Sequence, residues 1–321
     1  MPTSTPRAVA FAPATMANLG VGFDILGLAV AEPGDTIEAV FSDEPGVHIS
    51  DITGDGGRLP REAERNTAGI AAQSVLLLAG ETRGVALNIH KGLPLASGLG
   101  SSAASAVAAA VAVNILIGEP LTRAELLPAA LDGEAFVSGR HADNVAPCLL
   151  GGITLSFGLT ASEIWSLPVP ENLWLALVTP AVEVPTAQAR AVLPEHVPLK
   201  TMVTQTASVA RLMSALYRGD IPAMAAAMEA DRVIEPARAH LMPKLHEVRR
   251  AAHLAGAYGL VISGAGPTLA AVCDDPETAR VTAKAIERVY IEAGYGAVAR
   301  ACQVAVGGAY PIISQTADAG L

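Results

Sequence analysis

The sequence predicts an α+β fold, with helices laid on one face of an antiparallel sheet. Short apolar or alternating runs, typical of strands, recur between longer stretches with helical spacing. The second half closes in the order strand, helices, strand, turn, strand, helix, strand. Of 321 residues, 51% are hydrophobic and 16% charged, which excludes a disordered chain and leaves ample apolar surface for a core.

Ala8 to Ala12 and Thr36 to Phe41 read as short strands, and the glycine-containing stretch Ala12 to Asp24 as a loop. Asn66 to Leu78 has helical spacing. Val85 to His90 alternates apolar and polar, as a half-buried antiparallel strand does. Pro94 to Gly100 reads as a loop, Ser101 to Ile117 as a helix stopped at Gly118, and Arg123 to Val137 as a helix that Pro128 kinks. Gly151-Gly152 leads into a strand over Ile153 to Phe157. The polar, proline-bearing stretch Thr160 to Asn172 reads as a boundary, dividing the chain into 1–165 and 166–321. Beyond it come a buried strand at Leu173 to Thr179 and helices near Lys200 to Arg218, Ile221 to Met228 and Pro243 to Ala255. Strands at Gly259 to Ser263 and Leu269 to Cys273 flank a Gly-Ala-Gly-Pro-Thr turn, and Gly296 to Val306 is a last strand.

Lys plus Arg number 21 and Asp plus Glu 31, a net charge of −10, which argues against a nucleic-acid partner. An anionic ligand would need local help from a metal, a helix N-terminus or a few arginines. Cys148, Cys273 and Cys302 form no CxxC pair and no even framework, as expected of a reduced, cytoplasmic protein. The opening Met-Pro-Thr-Ser-Thr-Pro has no signal pattern. The most apolar stretch, Ala103 to Ile117, is too short for a membrane span and is interrupted by Ser105 and Asn114, so no membrane partner is expected.

The strongest local signal is the loop Pro94-Leu95-Ala96-Ser97-Gly98-Leu99-Gly100-Ser101-Ser102-Ala103, running into an Ala-rich helix. Glycines let the backbone aim its N–H groups at a ligand, and a helix N-terminus adds free donors, so the segment suits a phosphate. The Ser101 and Ser102 hydroxyls could ligate Mg²⁺ or cap the helix. The plainer alternative is a tight turn with a serine cap. The Gly-Lys-Ser/Thr ending of a Walker A loop is missing. Gly98-x-Gly100-x-x-Ala103 fits the dinucleotide string, but the strand before it alternates and six residues intervene, whereas that string follows a continuously apolar strand directly.

A second signal is Gly139-Arg-His141-Ala-Asp143-Asn144-Val-Ala-Pro147, shortly after Glu134. Asp143 could act as base, metal ligand or hydrogen-bond acceptor, and Asn144 can donate and accept. His141 serves structural bonding as readily as catalysis. On spacing alone Glu134 reads as an exposed helix carboxylate. Arg190 and Arg238, each near an apolar-Pro pair, have the planar fork that suits a carboxylate or phosphate, although a single arginine is more often a solvated surface charge.

Three segments together resemble the GHMP small-molecule kinases: Ala12-Pro-Ala-Thr-Met-Ala-Asn-Leu-Gly20, Pro94 to Ala103, and Ile262-Ser-Gly-Ala-Gly-Pro-Thr268. Within that family, Asn18 to Asp24 and His141 to Pro147 resemble the members that act on homoserine. The resemblance implies a ribosomal protein S5 domain 2-like N-terminal part and a ferredoxin-like C-terminal part. It implies transfer of the ATP γ-phosphoryl group to the side-chain hydroxyl of L-homoserine, a step toward threonine. It further implies that Pro94 to Ala103 hold the triphosphate with Asn66 and Lys91 near the nucleotide, and that Ser102 and Glu134 hold Mg²⁺. Asn18, Asp24, His141, Asp143, Asn144, Arg190 and Arg238 would line the amino-acid pocket, with Asn18, Asp143 and Asn144 nearest the chemistry, and a homodimer is suggested. Glu134 precedes Asn144 by ten residues, one fewer than the family pattern, which a shorter loop around Arg140 accounts for. The alternatives are another kinase of the family, acting on shikimate, mevalonate or a sugar, and a ligand-binding regulator on the same fold without turnover.

Overall fold

The computed structural model describes residues 6–312, and the signal-free reading of the first five residues lies outside them. Two long strands, β1 (Arg7–Ala17) and β2 (Leu26–Ser42), pair antiparallel from Arg7↔Val40 to Ala17↔Gly27, with a bulge between Pro13 and Ala14. The sequence suggests a loop from Ala12 onward. The ladder to β2 instead keeps the chain extended to Ala17, because paired backbone groups override the weak strand propensity of Ala and Pro there. Only the turn from Asn18 to Asp24 leaves the sheet, with Asn18, Leu19 and Asp24 at positive φ.

The sheet continues through β3 (Val47–Thr53) and β4 (Gly84–His90). β4 lies antiparallel to β2, as its alternation predicts, and parallel to β3. Between them, α1 (Thr67–Ala79) starts at an Asn66 cap and stops at Gly80 in the left-handed region. The Ala-rich α2 (Ser101–Leu116) is buried almost throughout, and packs on β1, β2 and α1. α3 (Arg123–Ser138) opens with a Thr122/Glu125 capping box. The polar string after Gly139 is itself the start of a helix, α4 (Ala142–Leu150). β5 (Ile153–Ser156), which pairs with β2, and β6 (Ile164–Leu167) extend this sheet, so part of the polar 160–172 stretch is a strand.

The second sheet has four strands and is antiparallel throughout. β7 spans Trp174–Pro180, and short α5 (Thr186–Ala191) follows it. Then come α6 (Leu199–Arg218), α7 (Ile221–Met228), α8 (Ile234–Arg238) and α9 (Leu245–Leu254). β8 (Gly259–Ile262), β9 (Leu269–Cys273), α10 (Pro276–Glu292) and β10 (Ala297–Gln303) complete it. β7 reads as continuously apolar because both its faces are covered. Leu175 and Leu177 join the larger core shared with the first sheet, while Ala176 and Val178 join a second core under α9 and α10. The chain then returns: β11 (Tyr310–Pro311) pairs with β1 at Phe11↔Tyr310.

Cys148, Cys273 and Cys302 are all buried and free. Among the described residues no helix is long and apolar enough to cross a membrane.

Candidate active site

A cavity of about 370 Å³ opens where the N-terminus of α2, the Asn18–Asp24 turn, the start of α4 and the short helices α5 and α8 converge. The loop before α2 forms one wall. Four successive carbonyls are turned into the protein: Ala96 C=O accepts from Val184 N–H (3.4 Å), Ser97 C=O from Thr268 N–H (3.1 Å), Gly98 C=O from the Ser263 hydroxyl (2.7 Å), and Leu99 C=O from Thr15 N–H (3.0 Å). Among the described residues no acceptor takes the N–H groups of Gly98, Leu99 or Gly100. Gly100 caps α2 from the left-handed region without a side-chain cap, so the first-turn N–H groups of the helix are also free. Free donors in sequence at a helix N-terminus make an anion site.

Two glycines are required here. Gly98 has φ +79°, and a Cβ there would strike the carbonyls of Ser263 and Gly266. A Cβ on Gly100 would strike the Thr15 hydroxyl oxygen.

Lys91 lines the cavity but is already paired. Its ammonium is buried against Asp35 and also donates to Ser101 C=O (2.8 Å) and the Ser105 hydroxyl (2.7 Å). Asp35 in turn accepts from the N–H groups of Gly92 (3.0 Å) and Leu93 (3.1 Å). The pair therefore ties both ends of the loop to β2. Asn66 does not line the cavity. Its carboxamide accepts from Ala68 N–H and donates to Pro60 C=O, while the adjacent Thr67 reaches the lining.

Glu134 is buried at 3% exposure, so the reading from spacing as an exposed carboxylate is overturned by the packing of α3 against α1 and α2. Burial raises its pKa to about 7 against the lowering effect of the Ser102 and Ser138 hydroxyls. Its Oε2 is buried without a hydrogen-bond partner. A buried carboxylate oxygen with nothing to bind, beside a serine hydroxyl at an anion site, is the donor set that suits Mg²⁺.

Across the cavity lies a charged group of different character. Arg190, on α5, forks onto Asp24 with Nη2 at 2.8 Å and Nη1 at 3.1 Å. His141 Nδ1 lies 3.6 Å from the same carboxylate, and burial lowers its pKa with Asp24 opposing. Asn18 shapes the turn by accepting Asp24 N–H (3.1 Å) and donating to Gly264 C=O (3.1 Å). Arg238, at the end of α8, is 3% exposed rather than a solvated charge, and donates to the carbonyls of Ala189 (3.0 Å) and Gly264 (2.9 Å). The Phe23 ring centre lies 5.5 Å from the Arg190 guanidinium and 5.2 Å from that of Arg238. Asp143 is buried in the first turn of α4. Burial, and after it the Asp24 charge, raise its pKa to about 7, with Arg190 opposing. Asn144, next to it, takes the Thr15 hydroxyl on Oδ1 (2.7 Å).

Asn18, Asp24, Lys91, Glu134, His141, Asp143, Asn144, Arg190 and Arg238 thus line one cavity, together with Leu95 to Gly98 and Gly100 to Ser102. Pro94, Leu99 and Ala103 support that wall without lining it. Phe23, Gly264, Thr186 and Ser138 are lining residues that sequence reasoning did not single out. Phe23 and Gly264 fall inside strings already noted, whereas Ser138, the last residue of α3, carries no sequence signal.

Comparisons with known proteins give the family. The family described as GHMP kinases N terminal domain matches residues 66–152, and that described as GHMP kinases C terminal matches residues 212–292. A homoserine kinase of Chlorobium phaeobacteroides is 41% identical over 291 residues, 87% of this chain and 91% of that protein. One from Arabidopsis thaliana is 44% identical, over 89% of this chain and 79% of its own. The crystal structure of homoserine kinase from Cytophaga hutchinsonii superposes with a TM-score of 0.92 at 40% identity, covering 97% of this chain and 99% of that one. The crystal structure of L. major mevalonate kinase in complex with R-mevalonate shares the fold at a TM-score of 0.70 and 19% identity, over 94% of this chain and 96% of its own. The two-domain α+β architecture expected from the sequence is that of these enzymes, and the chain belongs to the GHMP kinase family, within its homoserine kinases.

Proposed function

We propose that this chain transfers the γ-phosphoryl group of ATP to the side-chain hydroxyl of L-homoserine, giving O-phospho-L-homoserine and ADP. The observation that carries the reading is the pairing, in one cavity, of a wall of free main-chain N–H groups with an Arg190–Asp24 ion pair opposite. The first suits a triphosphate. The second suits the carboxylate and ammonium of an amino acid, which can replace the internal pair with one of its own.

In this reading the loop from Pro94 to Ala103 holds the phosphates through N–H donors and the positive end of α2. Ser102 and Glu134 would hold Mg²⁺, which neutralises charge on the phosphates when bound. Arg190 and Arg238 take the substrate carboxylate, and Asp24 its ammonium. Asn18 and Asn144 orient the hydroxyl toward the γ-phosphorus. Asp143 orients the substrate rather than acting as a dedicated base, because a loose transition state asks little early deprotonation of the alcohol. Alignment of this kind can lower a barrier by about 7–11 kcal/mol. It also reconciles an anionic substrate with a net charge of −10, since the positive field is local.

A division of the chain after β6, two residues beyond the expected 165/166 because Ile164–Leu167 pairs with β5 in the first sheet, belongs to the same proposal, as do a cytoplasmic location and a homodimer. The test is a panel of homoserine, mevalonate, galactose and shikimate with Mg-ATP, read by product mass. O-phosphohomoserine formed in clear preference supports the reading. Preference for another alcohol overturns the substrate, and tight ATP binding without any product favours a regulator.

A further inference from the structure

Thr15, on β1, has no exposed surface and bonds both the loop before α2 and the first turn of α4. Its main-chain N–H holds Leu99 C=O (3.0 Å), and its hydroxyl oxygen occupies the space that a Cβ on Gly100 would need. Its hydroxyl proton goes to Asn144 Oδ1 (2.7 Å). A carboxamide turned by 180° about its last torsion exchanges an acceptor for two donors. With Oδ1 committed to Thr15, it is the Nδ2 amide that is left for the cavity, and among the described residues no protein acceptor takes it.

We propose that Thr15 is a positioning residue for phosphoryl transfer: it fixes the Asn144 carboxamide with its NH₂ turned into the cavity and locks that group to the phosphate loop. This rests on the reading of Asn144 as a group that faces the reacting hydroxyl. A donor at that position suits the oxygens of the hydroxyl and the γ-phosphate, whereas the turned amide would oppose them with an oxygen. Because one residue bonds both the loop and Asn144, it also keeps the acceptor and the phosphate in register. A small displacement of either costs rate rather than affinity.

The substitution that isolates the hydroxyl is Thr15→Val, which keeps the branched shape and the main-chain N–H. The expected result is a kcat lower by about 10- to 100-fold, with the KM values for ATP and homoserine nearly unchanged. Thr15→Ser restores most of the rate. In an Asn144→Ala background Thr15→Val has no further effect, because the two act as a unit. An independent arm uses the side-chain amide ¹⁵N–¹H pair of Asn144, assigned by its disappearance in Asn144→Ala. It shifts in Thr15→Val and stays in place in Thr15→Ser. If Thr15→Val does not fold, Thr15→Cys, a weak donor, takes its place in both arms with an intermediate loss expected. Wild-type kcat in Thr15→Val, an equal loss in the Asn144→Ala background, or an unmoved Asn144 amide signal overturns the assignment. Wild-type protein that makes no O-phosphohomoserine overturns the parent reading alone, and the amide signal then decides the role of Thr15.

Discussion

Arg190 and Asp24, 166 residues apart in the chain, meet in a two-pronged ion pair at 2.8 and 3.1 Å. One residue comes from the turn after β1 and the other from α5 in the second half of the fold, so the pair joins the halves of the molecule at the cavity. Arg190 Nε is buried without a partner, which leaves the guanidinium with unused donor capacity toward a carboxylate.

Arg190→Ala should raise the KM for homoserine by about 10- to 100-fold, the worth of one or two charged hydrogen bonds, and leave ATP binding unchanged. Steady-state kinetics with each substrate varied in turn check this. An unchanged homoserine KM removes Arg190 from the pocket.

Gly98→Ala should raise the KM for ATP and lower stability by about 1–3 kcal/mol, since the new Cβ meets two backbone carbonyls that cannot retreat without moving the loop. Nucleotide titration and thermal melting read the two effects separately.

The buried Lys91–Asp35 pair predicts a structural penalty. Lys91→Met leaves Asp35 as an uncompensated charge with no exposed surface, and should cost about 3–5 kcal/mol by denaturant unfolding. A near-neutral result would show that Asp35 finds enough compensation in the Gly92 and Leu93 N–H groups alone.

Asp143 gives a pH dependence with a definite sign. Its folded pKa is raised to about 7, so between the ordinary carboxylate range and pH 7 the folded protein keeps a proton that the unfolded chain has lost. The stability associated with that proton is full at low pH and drains away as pH climbs through 7. His141, whose pKa is lowered, acts in the opposite direction below its usual range. The comparison of wild type with Asp143→Asn isolates the carboxyl: the melting temperature of the variant should gain on that of wild type between pH 5 and pH 8. Loss of kcat by many orders with KM unchanged in the same variant would make Asp143 a true base.

Glu134→Gln should raise the free Mg²⁺ needed for half-maximal activity and lower kcat, while the protein without nucleotide melts no earlier than wild type, because a buried carboxyl with an unpaired oxygen is replaced by a neutral amide. Activity against Mg²⁺ concentration checks it. An unchanged Mg²⁺ requirement excludes Glu134 as a ligand.

Local features of this fold are legible in the sequence where one segment decides its own structure. The alanine run of α2 and the Gly98-x-Gly100 loop before it are both where the pattern puts them, and so are α6 and α7. Features that depend on partners far away in the chain are not. β1 continues to Ala17 only because β2 pairs with it, and β6 hides in a polar stretch because β5 supplies its ladder. α4 is masked in the sequence by Gly139 before it and Pro147 within it, although Asp143 and Asn144 depend on its first turn for their placement. Side-chain commitments are the least legible. Asn66 spends its carboxamide on capping α1, Lys91 spends its charge on Asp35, and the burial of Glu134 and Arg238 follows from packing that no spacing reveals.

The most direct measurement is a crystal structure of the protein with a non-hydrolysable ATP analogue, Mg²⁺ and L-homoserine. The predicted result has the phosphate oxygens on the main-chain N–H groups of Gly98 to Ser102, the homoserine carboxylate on Arg190 or Arg238, and its hydroxyl in line with the γ-phosphorus beside Asn144. An analogue seated away from that loop, or an amino acid bound outside the Arg190–Asp24 side of the cavity, would contradict the account.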